Sequence, residues 1–257
     1  MRRIYVTTAF LSLLLLSSFS VLAQTQSRED LLKQIQTKRN EIEARRADIA
    51  KLQKGILLPS AEDQKRYEEF LKEPDTGLIR LLPREKYDET NPEAPSGIPL
   101  RGGGAYYSFS SRSQEYGQGS DLSLQQNELS VGFAGADYGL LTSLGDVPLD
   151  QITLQTPTVK ILAAYTPPTE ERLARLEYRK ISQGTELDGA TFKNRLPLRA
   201  DTTFLLRSVN YSYSSGSGGS DVLVAFRVVR IDCDGSAVIL WKMLKQYPAP
   251  QFVRAAN

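Results

Sequence analysis

"TFLLRSVNYSY" (203–213), "DVLVAFRVVRI" (221–231) and "AVILWKMLKQY" (237–247) are three apolar runs in succession, and their reading decides the fold. Each is rich in β-branched, aliphatic and aromatic residues, and each is bounded by turn formers. The flexible "SSGSGGS" (214–220) separates the first two, and the tight "DCDG" (232–235) separates the last two. Connections this short join antiparallel neighbours, so the three runs predict a meander. Within the middle run both alternations are apolar: Val222, Val224, Phe226 and Val228 on one side, Leu223, Ala225, Val229 and Ile231 on the other. A strand of that kind lies between two covered faces, which places it centrally in a sandwich, a barrel or a helix-backed layer.

Upstream, the β pattern extends back to residue 105. "AYYSFSS" (105–111) alternates like a strand, and "DLSLQQNELSVGF" (121–133) changes phase near Gln126, the mark of a bulge or of two strands. "ITLQTPTVKILAAY" (152–165) reads as a further broken strand pair with Pro157 at the break. "TPPTEERLARLEYRKISQG" (166–184) carries helix signals: Pro167 at the start, acids in the first turn, bases in the last, and Gly184 after the end. Leu173 and Leu176 give this helix a narrow apolar stripe for covering one face or edge of the sheet.

The N-terminal half is helical in pattern. Ile35, Ile42, Ile49 and Ile56 recur every seven residues, and Leu31, Lys38, Arg45 and Leu52 stand four positions before them. That spacing is an a/d heptad with isoleucine at a, started by Ser27 and Asp30. Lys38 and Arg45 weaken the seam at its centre, which leaves two readings: a short oligomerising coiled coil, or an amphipathic helix that is solvated or docked. Ser60 and Asp63 start a second helix whose stripe is Tyr67, Phe70 and Leu71. It either folds back on the isoleucine seam as a helical hairpin or leaves that seam to other chains. "GLIRLLPREKYD" (77–88) is an apolar patch for docking on the next domain.

The expected architecture is therefore α+β. Residues 1–23 form a signal peptide, with Arg2 and Arg3 before an apolar stretch and a cleavage site after Ala23. Residues 24–87 form a helical or coiled-coil region and residues 88–104 a Pro/Gly linker. Residues 105–250 form a mainly antiparallel β domain with one covering helix, and 251–257 a tail. The mature chain would be secreted or periplasmic, with no integral membrane segment.

Composition narrows the chemistry. Without Arg2 and Arg3 the chain carries 30 basic and 30 acidic residues, so it offers no electrostatic footprint for nucleic acid. There is no histidine, which removes Ser-His-Asp and Cys-His catalysis and histidine-ligated zinc. Cys233 is the lone cysteine, so no internal disulfide forms. No nucleotide-binding motif is present, no cofactor is implied and no metal site is expected. Gly102, Gly103 and Gly104 lack the preceding strand and following helix of a phosphate loop, and read as a hinge. Asp232-Cys233-Asp234-Gly235 has its glycine too early for a calcium loop and reads as a hairpin turn.

Few positions are left for a site. Asp137, Asp146 and Asp150 lie in the glycine-rich "GFAGADYGLLTSLGDVPLD" (132–150) and are weak catalytic candidates beside a plain surface-loop reading. Tyr106, Tyr107, Tyr116, Tyr138, Tyr165, Tyr211 and Tyr213 suit either a sugar or peptide groove or an ordinary core. Arg227 and Lys242, inside apolar strands, need acid partners or a sheet edge. Asn210-Tyr211-Ser212 matches the glycosylation acceptor pattern. The association seam is Leu31, Ile35, Ile42, Ile49, Leu52 and Ile56. The expectation is an exported, non-enzymatic interaction or structural protein. It would self-associate or hold a protein partner through residues 28–57 and bind through its β domain. The alternatives are a secreted carboxylate-dependent hydrolase acting on glycans, and a small-ligand carrier.

Overall fold

A computed structural model describes residues 27–90, 97–98, 100–117, 119–133, 135–212 and 218–253. The expected signal peptide, Tyr213 and much of the "SSGSGGS" loop lie outside the described residues. The chain divides into two compact units, residues 1–52 and 53–257.

The first unit is, in its described part, most of one helix, α1 (Arg28–Leu57), whose last turn belongs to the second unit. Ser27 Oγ accepts the Glu29 N–H at 3.2 Å, and Glu29 and Asp30 occupy the first turn, where acids suit the helix dipole. Ion pairs Lys38–Glu41 and Arg46–Glu43, at 2.7 and 2.8 Å, lie along its exposed surface. Among the described residues no helix is long and apolar enough to cross a membrane.

In the second unit, α2 (Ala61–Arg66) and α3 (Glu68–Leu71) follow a reciprocal cap: Ser60 Oγ accepts from Asp63 N and donates to the Asp63 carboxylate. Tyr67, Phe70 and Leu71 pack against the sheet's second core, so the stripe expected to close a helical hairpin is taken up by the sheet. The chain then enters β1 (Thr76–Leu81), α4 (Arg84–Tyr87) and β2 (Tyr106–Tyr107). β3 (Leu122–Gln125), β4 (Glu128–Ser130) and β5 (Tyr138–Gly145) come next. After a 3-10 turn at Leu149–Gln151 come α5 (Pro157–Ala164) and α6 (Glu171–Gln183). The short strands β6 (Thr185–Leu187), β7 (Ala190–Phe192) and β8 (Arg195–Pro197) precede the meander of β9 (Thr202–Asn210), β10 (Ser220–Ile231) and β11 (Ala237–Tyr247).

The meander forms as its loops dictate, at the centre of a five-stranded antiparallel sheet of order β1-β11-β10-β9-β5. A second sheet, β2-β3-β4-β8, faces it across the first core, where Phe109, Leu122, Leu124 and Leu129 meet Phe204, Phe226 and Trp241. The opposite face of the large sheet is covered by α5, α6 and the α2–α3 stripe over Leu205, Val209, Leu223 and Ala225. Sandwich and helix-backed layer are thus both present, one on each face. The overall class is α+β, a long N-terminal helix followed by mainly antiparallel sheets.

Three local expectations change, and one left open is resolved. Residues 76–81, expected in the helical region, form an edge strand paired with β11, with Gly77 opposite Trp241. A Cβ on Gly77 would lie 2.6 Å from the Trp241 indole, so this glycine admits the ring, and no local pattern reveals that pairing. Residues 157–164 are helical rather than a strand, because Pro157 stands at the first helical position and buries Val159 and Leu162 three residues apart. In α6 the buried side chains are Ala174 and Ile181, with Tyr178 half-buried, while Leu173 and Leu176 are exposed. The phase near Gln126 resolves as two strands, joined by Gln126 and Asn127 at φ 52° and 59°.

The expected linker is also not loose where it is described. Asp88 and Ile98 form a β-bridge, Ile98 is buried, and Gly102, Gly103 and Gly104 stand at positive φ, all three of them buried. The three glycines make a fixed turn packed against Tyr87 and Leu57, not a hinge. In the expected tail, Phe252 stacks on Tyr211 at 4.2 Å and Val253 N–H donates to Thr169 O, which ties residues 252–253 to the body.

Candidate functional site

Side chains of α1 supply the first candidate surface. Leu31, Ile35, Ile42, Ile49, Leu52 and Ile56 lie in one stripe and are each 38–70 % exposed. The aliphatic residues of β9 to β11 are mostly buried by comparison. An isolated exposed Leu is ordinary, but six in heptad register form an apolar stripe, interrupted by Lys38 and Arg45, that water does not favour. Lys38, in the middle of the stripe, turns its ammonium out to Glu41.

The second candidate is a cleft of about 280 Å³ over the outer face of the four-stranded sheet. Strand alternation builds it: Tyr107, Leu122, Leu124 and Leu129 point into the first core, so Tyr106, Ser123, Gln125, Ser130 and Arg195 point out. Tyr106 sits between Tyr116 and Phe133, with ring centroids 4.5 and 5.2 Å away. The Arg84 guanidinium lies 5.8 Å from the Tyr106 ring centre, and Tyr178 of α6 and Asn194 complete the rim. Arg84 is held by Asp88 at 3.0 Å and Arg195 by Glu128 at 3.4 Å. Neither acid lines the cleft, and its lining contains two guanidiniums, two carboxamides and no carboxylate. Burial raises the Tyr106 pKa, so its hydroxyl stays protonated at neutral pH.

Asp137 lies apart from Asp146. Asp137 and Asp146 flank the eight residues of β5, which separate them by about 30 Å of extended chain. Asp137 is buried and accepts the Tyr211 N–H at 2.9 Å; burial, against that bond, pushes its pKa up to about 6. Asp146 is exposed and pairs with Arg227 at 2.6 Å, which answers the buried-charge question at Arg227. Asp150 is exposed, and its backbone carbonyl lies 3.5 Å from Lys242 Nζ.

A different carboxylate has the strongest environment. Asp121 is fully buried, accepts the Phe109 N–H at 2.7 Å and the Asn210 carboxamide at 2.9 Å, and burial raises its pKa to about 6. Its only sequence signal is an acid opening an apolar strand. Its bonds join β9 to the loop before β3, and it does not line the cleft, so its work is structural. Asn210 is buried in the same network, also donating to Ser220 Oγ, which takes its carboxamide away from any glycosylation machinery acting on the folded chain. Asp234, in the hairpin turn, accepts from Tyr87 Oη at 2.8 Å and Arg80 Nη2 at 3.3 Å, and so pins α4 and β1 to the β10–β11 turn. Cys233 beside it is exposed and free. Of the tyrosines, Tyr107, Tyr138 and Tyr211 belong to the core, and Tyr106 and Tyr116 border the cleft together with Tyr178. Among the described residues no group of three or more His, Cys, Asp or Glu side chains could hold a metal ion.

No family model, curated protein or solved structure matches the chain.

Proposed function

We propose that the chain is an exported, non-enzymatic interaction protein in which α1 is an association arm and the β body a binding module. The observation that carries this reading is the six-residue aliphatic seam, exposed along one stripe of a 30-residue helix. Burying it in an interface removes apolar area from water at roughly 25 cal/mol per Å², and the heptad spacing suits a helical partner.

The cleft gives the body its binding chemistry. Rings stack on the C–H face of a sugar, carboxamides meet hydroxyls, and guanidiniums in a lining without carboxylates favour a negative group. An acidic sugar or a short acidic glycan combines those features. The polar lining suits this ligand better than the apolar cargo of a carrier. Glycan hydrolysis is less well supported, because it needs two carboxyls roughly 5–10 Å apart across a substrate, and Asp137 and Asp146 stand at opposite ends of a strand.

Light scattering on the chain from Gln24, at several concentrations, tests the association arm. The wild type is expected above monomer mass, alone or with its partner. The triple variant Ile35→Asp, Ile42→Asp, Ile49→Asp is expected to be monomeric with its β-sheet circular dichroism intact. A wild type that is monomeric and captures nothing through α1 would remove the reading. For the cleft, saturation-transfer NMR with glucuronate as probe should give a signal that Arg84→Gln with Arg195→Gln abolishes.

A further inference from the structure

The flanks of the α1 seam carry charge in a pattern that specifies a partner. With isoleucine at a, the positions on one flank (e) are Leu32, Arg39, Arg46 and Gln53, and those on the other (g) are Gln34, Glu41, Asp48 and Gly55. Two helices in parallel register bring each g residue beside the e residue five positions later in the partner. Glu41 then meets Arg46 of the second copy, twice per pair, while Gln34 meets Arg39 and Asp48 meets Gln53 without repulsion. The antiparallel arrangement brings e against e and g against g. Arg39 then faces Arg46 and Glu41 faces Asp48, each twice, so every flanking contact between charges is repulsive.

The seam itself opposes this preference only in part. Parallel register stacks Ile35, Ile42, Ile49 and Ile56 on their own copies, but it also stacks Lys38 on Lys38 and Arg45 on Arg45. Those two like-charge layers stand against two attractive pairs, whereas the antiparallel form has four repulsive contacts and no attractive one. Lys38 is already drawn out of the seam by Glu41 at 2.7 Å, which lowers the cost of its layer. Each additional chain would add another cation to both layers, so two chains are favoured over three.

We infer that the occupant of the α1 seam is a second copy of this chain, aligned parallel and in register as a two-stranded coiled coil. The inference rests on the association reading above and goes further by fixing partner, direction and strand number. Parallel alignment also puts both copies' residues following α1 at the same end of the coil, so the cleft is displayed in duplicate.

The sign of one charge reversal separates the two directions. In parallel pairing Glu41→Arg sets a guanidinium against that of Arg46 in the second copy and is expected to raise the dimer Kd about fivefold, from two pairs at a few tenths of a kcal/mol each turned repulsive. Adding Arg46→Glu in the same chain should restore the wild-type Kd. In antiparallel pairing Glu41→Arg meets Asp48 and would tighten the dimer, which overturns the direction while leaving association intact. Cross-linking gives a second readout in a Cys233→Ser background. Ile49→Cys alone should oxidise to a covalent dimer. A mixture of Lys38→Cys and Ile49→Cys chains that yields only the mixed dimer would overturn parallel register. A monomeric wild type that binds some other protein through α1 would overturn this inference alone, and one that binds nothing through α1 would overturn the association reading as well.

Discussion

At Gly103 the backbone stands at φ 59°, and a Cβ there would lie 2.3 Å from Asp88 N and from the Tyr87 carbonyl carbon. Both contacts are main chain and cannot rotate away. Gly103→Ala is expected to destabilise the body by more than about 2 kcal/mol, seen as a lower urea midpoint. Gly117→Ala, where a Cβ meets nothing within 4 Å, should stay within about 0.5 kcal/mol of wild type and serves as the control. Arg207 poses the opposite problem of a charge fully inside. It makes a bidentate pair with Asp221 at 2.5 and 2.8 Å, donates to Leu162 O at 3.3 Å and lies 3.2 Å over the Tyr247 ring centre. Arg207→Met leaves Asp221 buried without its partner, and equilibrium unfolding should show a loss of about 3–5 kcal/mol. Pairing it with Asp221→Leu should recover part of that loss, since the unpaired charge goes too. The glycine triplet stands out in the sequence, and so does an arginine inside an apolar run. Neither signal says which atoms are waiting.

Elements are legible in proportion to how local their causes are. α1, the Ser60 cap and the three-strand meander follow from periodicity, capping chemistry and loop length, all contained in short windows. Ser60→Ala removes the acceptor for Asp63 N–H and should cost about 1 kcal/mol in the thermal unfolding of the body. The local pattern of α5 points to a strand because "TVKILAA" is apolar and β-branched; its helical state is set by Pro157 at the first position and by the sheet face it covers. The pattern of α6 gives a helix but the wrong inward face, because two leucines outrank alanine in hydrophobicity but not in fit. Ala174 and Ile181 are buried where the helix packs on the second core, and the leucines face out. β1 has no local signature because an edge strand's partner, here β11, is more than 150 residues away in the chain.

For the whole molecule, the two sets of perturbed carboxylates act in different pH windows. Asp121 and Asp137 are raised to about 6, chiefly by burial. A group raised above its unfolded value takes up a proton on folding, so stability increases as pH falls from about 6 toward 4. In Asp63, Asp88 and Asp234, burial pushes the pKa up but hydrogen bonds and neighbouring arginines outweigh it, so all three lie below the usual value. Their contribution is present above pH 4 and lost as pH falls through the native values. Chemical unfolding across pH should therefore show a maximum at about pH 4, with a decline on the order of a few kcal/mol as pH rises to about 6 and little change above it. Asp121→Asn should flatten that upper limb, and an unchanged slope would show that Asp121 does not titrate there. Removing residues up to 100 should unfold the body as well as the arm, because β1 and α4 go with them.

Sequence alone determined the α+β class, the meander, the start of α1 and its heptad, and the exclusion of histidine-based chemistry, since each rests on neighbours within a few turns or on composition. Tertiary structure decided that β1 closes the sheet and that Asp121 meets Asn210. It also decided that Asp137 and Asp146 stand apart and that Tyr106, Arg84 and Arg195 border one cleft. Those are relations between residues that lie up to more than a hundred positions apart. They are set by which faces bury together, and no local pattern encodes that distance.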